Sequence, residues 1–272
     1  MKTTSLSSEE LARVREQQKE HQAGLRSAKI VQEGLLPKSR HLSRVFNNHF
    51  VLYRPQRIIS GDFFWVGEKH NLKYLVVGDC NGHGISAALL SVLMLNLFEY
   101  TIMNKGIKKT HKILQEVDKK FIESFKNNSA QSFDTPWVDL SIICIDTKEN
   151  KLYYSTANRK ILFIDSNQNT TTLYQGSKYP IGGWKIESNR TFTSRSINYS
   201  PGDSLYLGSD GFQDQLGGEK TKRFQSKNLH QFIENNNHLT FERQLESLEN
   251  ELDNWQQNQQ QTDDICLVGV QL

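Results

Sequence analysis

One segment, residues 76–90, constrains this chain more than any other, and it reads VVGDCNGHGISAALL. The apolar run over residues 74–77 predicts a buried strand, and the pattern becomes helical at Ile85. Between them lie Asp79 and two glycines, Gly82 and Gly84, which can adopt positive φ or approach a bound group closely. A carboxylate placed there suits an oxygen-liganded group, although a simple turn or helix cap uses the same residue types.

Carboxylates in three further segments occupy similar positions. Asp62 lies in Ser-Gly-Asp-Phe-Phe, Asp210 directly follows an apolar strand, and Asp263 and Asp264 directly precede one. Carboxylates beside apolar strands are costly unless they are neutralised, and no Lys or Arg is adjacent in these segments. A hard divalent cation such as Mg²⁺ or Mn²⁺ would neutralise the set. Two such ions about 3.5–4 Å apart can share a hydroxide that attacks a phosphoryl group in line.

The bulk composition is that of a globular protein with a real core, at 272 residues, 36% hydrophobic and 10% aromatic. A net charge of +3 without a dense basic block gives no reason to expect nucleic acid. No apolar run is expected to reach the roughly 20 residues of a membrane span, and the N-terminus lacks a secretory pattern. The three cysteines are widely spaced and odd in number, which suits free thiols. We therefore expect a soluble cytoplasmic protein with no membrane partner.

Residues 7–36 are predicted to form one helix that ends at Pro37. Its heptad positions from 11 to 35 are apolar except for Gln18, His21 and Gln32, which is too weak a seam for a strong coiled coil. The helix is either docked on its own domain or a regulatory or dimer-forming element that changes partners. We divide the chain into a helix and linker, 1–44, and a domain, 45–272.

The rest of the chain is dominated by strand patterns, and its helices come in pairs. Predicted strands cover 50–53, 61–66, 72–79, 137–146, 151–156, 161–165, 191–199, 204–207 and 265–272. Predicted helices cover 85–103, 111–125, 227–235 and 241–255, with a polar loop at 126–135 and a turn at 179–183. Because regular βαβ alternation is missing, the pattern favours an α+β fold of two packed sheets with helices outside.

The order of the acidic motifs resembles one family. Gly-Asp, Gly-Asp-x-x-Gly-His-Gly, Ser-Asp-Gly and Asp-Asp before the last strand resemble the PPM (protein phosphatase 2C-like) metal-dependent serine/threonine phosphatases. Within that family the chain looks most like the bacterial SpoIIE/RsbU-type branch. Further likeness comes from Ala28-x-x-Val31-Gln32-x-x-Leu35-Leu36-Pro37, Tyr53-Arg54-Pro55, Ser60-Gly61-Asp62-Phe63-Phe64 and Leu207-Gly208-Ser209-Asp210-Gly211-Phe212. The resemblance covers about residues 28–272.

This resemblance implies a protein phosphatase 2C-like β-sandwich of two antiparallel sheets flanked by helices, preceded by an N-terminal regulatory helix. It also implies a site for two Mn²⁺ or Mg²⁺ ions. Asp79, counted as catalytic, would bridge the two ions that hold the attacking water, and the Cys80 backbone carbonyl would complete one ion's shell. The other ion would be held by Asp62, which we also count as catalytic, Asp210 and Asp263. Asp264 would be either a further metal ligand or a hydrogen-bonding residue.

The implied function is a protein serine/threonine phosphatase that acts on a bacterial regulatory partner, for example a protein like an anti-sigma-factor antagonist. An upstream sensor or regulator would act through the N-terminal helix, and a homodimer is left open. Two alternatives are kept: a non-catalytic interaction module of the same fold, and a metal-dependent hydrolase of small phosphates. The latter ranks lower because the sequence has no GxxxxGK[ST] phosphate loop.

Four other features are open to two interpretations. Arg57 could bind a substrate phosphate through its planar guanidinium or could be a solvated arginine at a strand end. His83 could be a general acid, but a turn-fixing role is favoured. The stretch 154–159 replaces the family's usual Ala-Gly-His segment. Arg159 and Lys160 could bind a substrate phosphate, but a solvated turn is favoured for them. The loop 217–223 is either a mobile flap for an acidic partner or a plain solvated loop.

Overall fold

The fold is a sandwich of two antiparallel sheets with helices on both outer faces. The computed structural model describes residues 8–126, 135–168, 170–183 and 190–272. The strands in these ranges are β1 (His49–Arg54), β2 (Asp62–Lys69), β3 (Leu72–Cys80), β4 (Trp137–Asp146), β5 (Lys151–Ala157), β6 (Lys160–Asp165), β7 (Thr170–Gln175), β8 (Ile181–Gly182), β9 (Arg195–Asn198), β10 (Ser204–Gly208), β11 (Leu216–Gly217), β12 (Lys222–Arg223) and β13 (Ile265–Gln271). The helices are α1 (Ser8–Leu35), α2 (Ser39–Val45), α3 (Ile85–Phe98), α4 (Thr110–Phe125), α5 (Gly211–Asp214), α6 (Ser226–Asn236) and α7 (Phe241–Gln256).

The first sheet has the strand order β1-β13-β10-β6-β7, and the second has the order β2-β3-β4-β5-β9 with β8 beside β4. Strand pairs within both sheets are antiparallel. Strands β11 and β12 form a separate two-stranded ribbon. This architecture, with its N-terminal helix, confirms the predicted α+β sandwich of two antiparallel sheets.

Side chains that alternate between the two faces of the first sheet contribute to two separate hydrophobic cores. Leu205 and Leu207 of β10 point into the core between the sheets, whereas Tyr206 points to the opposite face, as the period of a strand requires. On that opposite face Tyr206 packs with residues of α6 and α7, including Leu229 and Leu248. The first sheet is therefore buried on both faces, and its charged residues are confined to its edges and ends.

The second sheet is covered on its outer face by α3 and α4. The segment Ile85–Asn104, made of α3 and a following π-helical stretch (Glu99–Asn104), is long and apolar enough to cross a membrane by length and composition. The expectation that no apolar run reaches that length is therefore wrong for this segment. Half of its most apolar part is buried inside the protein, against strands β2 and β3 and helix α4. A core helix passes the same test of length and composition.

Several local elements differ from the sequence prediction. A short helix, α2, follows Pro37 and buries Leu42 and Val45, in a segment expected to be mostly linker. Strand β7 was missed because its threonine-rich segment buries no side chain fully. The turn at 179–183 contains β8, and the strand expected over 191–199 shortens to β9. Most of the loop predicted at 126–135 lies outside the described residues.

Helix α1 is docked only near its C-terminal end. Leu11 and Val14 are about four-tenths exposed, and Ile30 and Val31 are still more exposed. Gln32, by contrast, is buried against the domain. The C-terminal part of α1 therefore packs on the domain through Gln32, while apolar side chains along the helix face solvent. A regulatory or dimer-forming role for this helix stays a prediction.

The core between the sheets can be tested at Leu205, which is fully buried. We expect Leu205→Ala to lower the free energy of unfolding by about 2–5 kcal/mol because it leaves a cavity between the sheets. Leu173→Ala is the matched control, since Leu173 is 44% exposed and should change stability by less than about 1 kcal/mol. Denaturant unfolding measures both, and equal losses would contradict the layered core described above.

Candidate active site

Three carboxylates meet at one end of the second sheet. Asp62 begins β2, and the strand register places it opposite Asp79, near the end of β3. Asp79 in turn lies opposite Asp139, near the start of β4. Directly opposed residues on antiparallel strands are close neighbours, so three like charges stand in one row across the sheet.

The first sheet adds two more carboxylates at the same end. Asp210 follows β10 and Asp263 precedes β13, and these two strands are antiparallel neighbours whose register pairs Gly208 with Leu267. Ser209 links the sheets, because its Oγ donates a hydrogen bond of 2.5 Å to Asp62 Oδ2. The four aspartates expected to converge, Asp62, Asp79, Asp210 and Asp263, therefore lie at one end of the sandwich.

A buried arginine lies among these carboxylates. The guanidinium of Arg159 is hydrogen-bonded to Asp79 and lies 3.0 Å from Asp210 Oδ2 and 3.9 Å from Asp139 Oδ2. Its side chain is only 10% exposed, so the interpretation of Arg159 as a solvated turn residue is wrong. Only the strand topology places Arg159 in the site. It follows the end of β5, which runs antiparallel to β4 and ends beside the start of β4.

Asp139 was also missed from the sequence. It is buried, and its Oδ2 accepts a hydrogen bond of 2.8 Å from Asn158 Nδ2. Within the described ranges its Oδ1 is buried without a hydrogen-bond partner. Because Asp139 sits inside an apolar strand, between Val138 and Leu140, no turn motif marked it. A lone carboxylate in such a strand was the available signal.

Asp264 supports the site through hydrogen bonds. Its Oδ1 accepts the N–H of Gln56 and its Oδ2 accepts the N–H of Gly61, both at 2.7 Å. Of the two roles that the resemblance left open for it, this geometry favours the hydrogen-bonding role. The exposed Asp263 accepts the N–H of Asp264 at 2.8 Å through its Oδ1. Gly211 passes so close that an added Cβ would lie 1.9 Å from the Asp264 carbonyl oxygen.

The turn after β3 is fixed to the neighbouring strand. Asn81 Oδ1 accepts the N–H of Trp137 at 2.8 Å, and the Asn81 N–H donates to the Trp137 carbonyl. Gly82 and Gly84 have φ of 85° and 75°, the left-handed region that favours glycine. The Cys80 carbonyl faces Gly61, where an added Cβ would lie 3.1 Å from it. His83 is exposed in this turn, and its role stays a prediction.

The remaining residues singled out from the sequence lie around this end or beyond it. Arg57 is exposed one residue after Gln56, whose backbone is held by Asp264. The loop 217–223 includes the last residue of β11 and all of β12, and Gly217 packs against the backbone of Trp255. Roles for Arg57 and for this loop in binding a substrate stay predictions.

Burial and mutual repulsion raise the pKa of four of these aspartates, Asp62, Asp79, Asp139 and Asp263. Burial, and then the charge of Asp79, raise the pKa of Asp62 well above its ordinary value, while the Ser209 hydrogen bond lowers it in part. Burial raises the pKa of Asp79 to about 8, even though the charge of Arg159 opposes the increase. Burial also raises the pKa of Asp139 and of Asp263. One guanidinium thus leaves the negative charge here undercompensated.

The chemistry of this site fits divalent metal ions. The donors are carboxylate oxygens and a backbone carbonyl, which hard cations such as Mg²⁺ and Mn²⁺ prefer, and Asp139 Oδ1 is a buried acceptor in need of a donor or a cation. Among the residues that the structure describes, no three acidic, histidine or cysteine side chains are already spaced to hold an ion. Arg159 lies between three of the carboxylates instead.

Comparison with known proteins gives the family. The family model described as Stage II sporulation protein E (SpoIIE) matches residues 71–272, a range that contains every acidic site residue except Asp62. The chain belongs to the SpoIIE family. It therefore carries a PP2C-type serine/threonine phosphatase domain, which confirms the resemblance drawn from the acidic motifs.

Individual relatives agree with this assignment. Phosphoserine phosphatase RsbP of Bacillus subtilis is 25% identical over 163 residues, which are 60% of this chain and 38% of RsbP. The SiaA-PP2C domain of Pseudomonas aeruginosa superposes with a TM-score of 0.82 at 25% identity, covering 94% of this chain and 98% of that domain. The PP2C phosphatase domain of SpoIIE from Bacillus subtilis, with a fragment of its regulatory domain, shares the fold at 19% identity and a TM-score of 0.64, covering 83% of this chain and 63% of that one.

The raised pKa values predict how the metal-free protein responds to pH. Asp79 has an ordinary value of 3.8 and a pKa of about 8 in the folded, metal-free state. Its folded form therefore holds a proton that the unfolded chain has lost, so stability falls as pH rises from about 4 to 8. We expect a lower melting temperature in EDTA at pH 8 than at pH 6, and a smaller difference for Asp79→Asn. Calorimetry without metal measures both, and a melting temperature that rises over this range would contradict the assignment.

Proposed function

We propose that this protein is a metal-dependent phosphatase that hydrolyses phosphoserine or phosphothreonine on a regulatory partner protein. The single observation that carries the proposal is the convergence of Asp62, Asp79, Asp210 and Asp263, from four separate segments, at one end of the sandwich. A β-sandwich gains nothing in stability from gathering like charges at one end, so a bound cation is the physical reason for keeping them.

Two Mn²⁺ or Mg²⁺ ions would be held by these four aspartates and the Cys80 backbone carbonyl. Asp139 is a further candidate because its buried Oδ1 has no hydrogen-bond partner in the described part of the chain. When bound, such ions activate water and stabilise the charge that develops on phosphoryl oxygens.

The protein's own residues hold the carboxylates in place. The Ser209 hydroxyl fixes one oxygen of Asp62, and Asp264 fixes the backbone of Gly61 directly before it. Tyr53 donates its hydroxyl hydrogen to the Asp62 carbonyl oxygen at 3.1 Å. Such a preorganised shell keeps the ligands in position without the reorganisation that a flexible site would need.

The family and RsbP, a phosphoserine phosphatase, support a phosphorylated protein as substrate over a small phosphate. A protein like an anti-sigma-factor antagonist remains our candidate partner. The retention of all four aspartates in one place argues against a non-catalytic module of the same fold. Arg57, exposed beside this end of the sandwich, would contact the substrate phosphate.

Helix α1 contacts the loop that carries Asp62. Gln32 is buried, its Nε2 donates to the Ser60 carbonyl at 2.6 Å, and its Oε1 accepts the Ser60 N–H at 3.1 Å. The same Nε2 donates to Ser91 Oγ of α3 at 2.9 Å. A regulator or a second copy that moves α1 would therefore act on the backbone two residues before Asp62. This coupling is our proposal for the role of the N-terminal helix.

The metal assignment predicts the effect of Asp79→Asn. Loss of this carboxylate should lower Mn²⁺-dependent hydrolysis of p-nitrophenyl phosphate and of a phosphoserine peptide by about 100-fold or more. Asp146→Asn is the matched control, because Asp146 lies at the opposite end of β4 and its Oδ1 accepts the backbone N–H groups of Lys148 and Glu149. Turnover by Asp79→Asn equal to that of the unmodified protein would end the proposal.

The coupling through α1 predicts the effect of Gln32→Ala. Removing the side chain leaves the Ser60 backbone without its buried partner, so we expect a several-fold change in kcat and a loss of about 1–3 kcal/mol in stability. Gln22→Ala, on the exposed surface of the same helix, should change neither. Steady-state kinetics with Mn²⁺ and denaturant unfolding measure the two effects. An unchanged kcat in Gln32→Ala would contradict the proposed coupling between α1 and the active site.

A further inference from the structure

We propose that Arg159 is an internal cation that occupies the metal site in the metal-free protein and competes with divalent ions for it. The inference rests on the proposed function, since it concerns how the same carboxylates receive their metal. On this inference, metal binding releases the Arg159 guanidinium from the carboxylates that it now contacts.

The contacts of Arg159 are the first support. Its two terminal nitrogens lie against Asp79 and Asp210, both of which are proposed metal ligands. A carboxylate oxygen bonded to a guanidinium cannot coordinate an ion on the same lone pair at the same time. Arg159 and a divalent ion therefore exclude each other at these positions, or one of them must move.

The quality of the pairing is the second support. Arg159 Nε and Asp139 Oδ1 are buried without hydrogen-bond partners among the described residues. Nε lies 3.9 Å from Asp139 Oδ2, too far for a hydrogen bond. Buried polar atoms left without partners are costly, so the arginine neutralises charge here without satisfying the site. A divalent cation that prefers oxygen ligands would neutralise more of the negative charge of these carboxylates.

The surroundings give the displaced side chain a place to go. A cleft of about 210 Å³ adjoins the site and is lined by Arg159 itself, with Lys160, Ser209, Ser226 and His230 among its other residues. A rotation of the Arg159 side chain toward this cleft would break the contacts of its guanidinium with the carboxylates. The guanidinium would then lie in the cleft next to the site.

The test is Mn²⁺ binding, measured without any turnover. The full chain is stripped with EDTA and titrated with Mn²⁺ by calorimetry and by electron paramagnetic resonance of the free ion. We expect Arg159→Gln to bind Mn²⁺ about tenfold or more tightly than the unmodified protein, because no internal cation has to be displaced. In EDTA the same variant should melt at a lower temperature, and saturating Mn²⁺ should close that difference.

Two further variants keep the test decisive. Arg159→Lys retains the charge with a shorter side chain and a single nitrogen, so it should stay folded without metal and bind Mn²⁺ with intermediate affinity. Arg190→Gln is the matched control, because Arg190 is also a buried arginine beside a carboxylate, 3.7 Å from Asp118 Oδ1, and donates to the Gly182 carbonyl. We expect it to lower stability and leave Mn²⁺ affinity unchanged.

The outcomes separate this inference from the proposed function. Equal Mn²⁺ affinity in the unmodified protein, Arg159→Gln and Arg159→Lys would overturn competition and leave the metal site intact. Weaker binding by both variants would also overturn it, since Arg159 would then support the metal. Absence of Mn²⁺ binding in every protein, including the unmodified one, would overturn the proposed metal-dependent function itself.

Discussion

The structure depends on a concentration of negative charge at one end of a β-sandwich. Asp62, Asp79 and Asp139 stand in one row across the second sheet, and Asp210 and Asp263 arrive from the first. Burial and mutual repulsion raise the pKa of the buried members, so this end opposes folding unless protons, a guanidinium or metal ions neutralise it. The large apolar cores on both faces of the first sheet outweigh that cost.

The site forms only when the two sheets are joined, because side chains from the first sheet hold the second. Ser209 follows β10 and bonds the carboxylate of Asp62 at the start of β2. Asp264 precedes β13 and bonds the backbone of Gly61. Both contacts join residues more than 140 positions apart in the chain. Geometry at the metal ligands is therefore a property of the whole sandwich, and it is lost with the packing between the sheets.

Sequence reasoning found the parts of the site that carry local signals. Asp62, Asp79, Asp210 and Asp263 stand at strand ends beside glycines or turns, where the residue type itself is informative. Asp139 and Arg159 carry no such signal: one lies inside an apolar strand, and the other became a site residue only through the pairing of β5 with β4. Strand β7 and helix α2 were missed for a related reason, since pairing with β6 determines β7 and burial of Leu42 and Val45 determines α2.

The segment before Asp62 is held from two sides, and the two supports differ in kind. Asp264 holds Gly61 from inside the sandwich, where its carboxylate is buried beside β13. Gln32 holds Ser60 from α1, a helix whose N-terminal half carries exposed apolar side chains such as Leu11 and Val14. A support from the core changes only when the domain unfolds, whereas a support from a partly docked helix can change while the domain stays folded. Any regulation of Asp62 through backbone position would therefore come through Gln32, and the fixed bond to Asp264 would limit how far Gly61 can move.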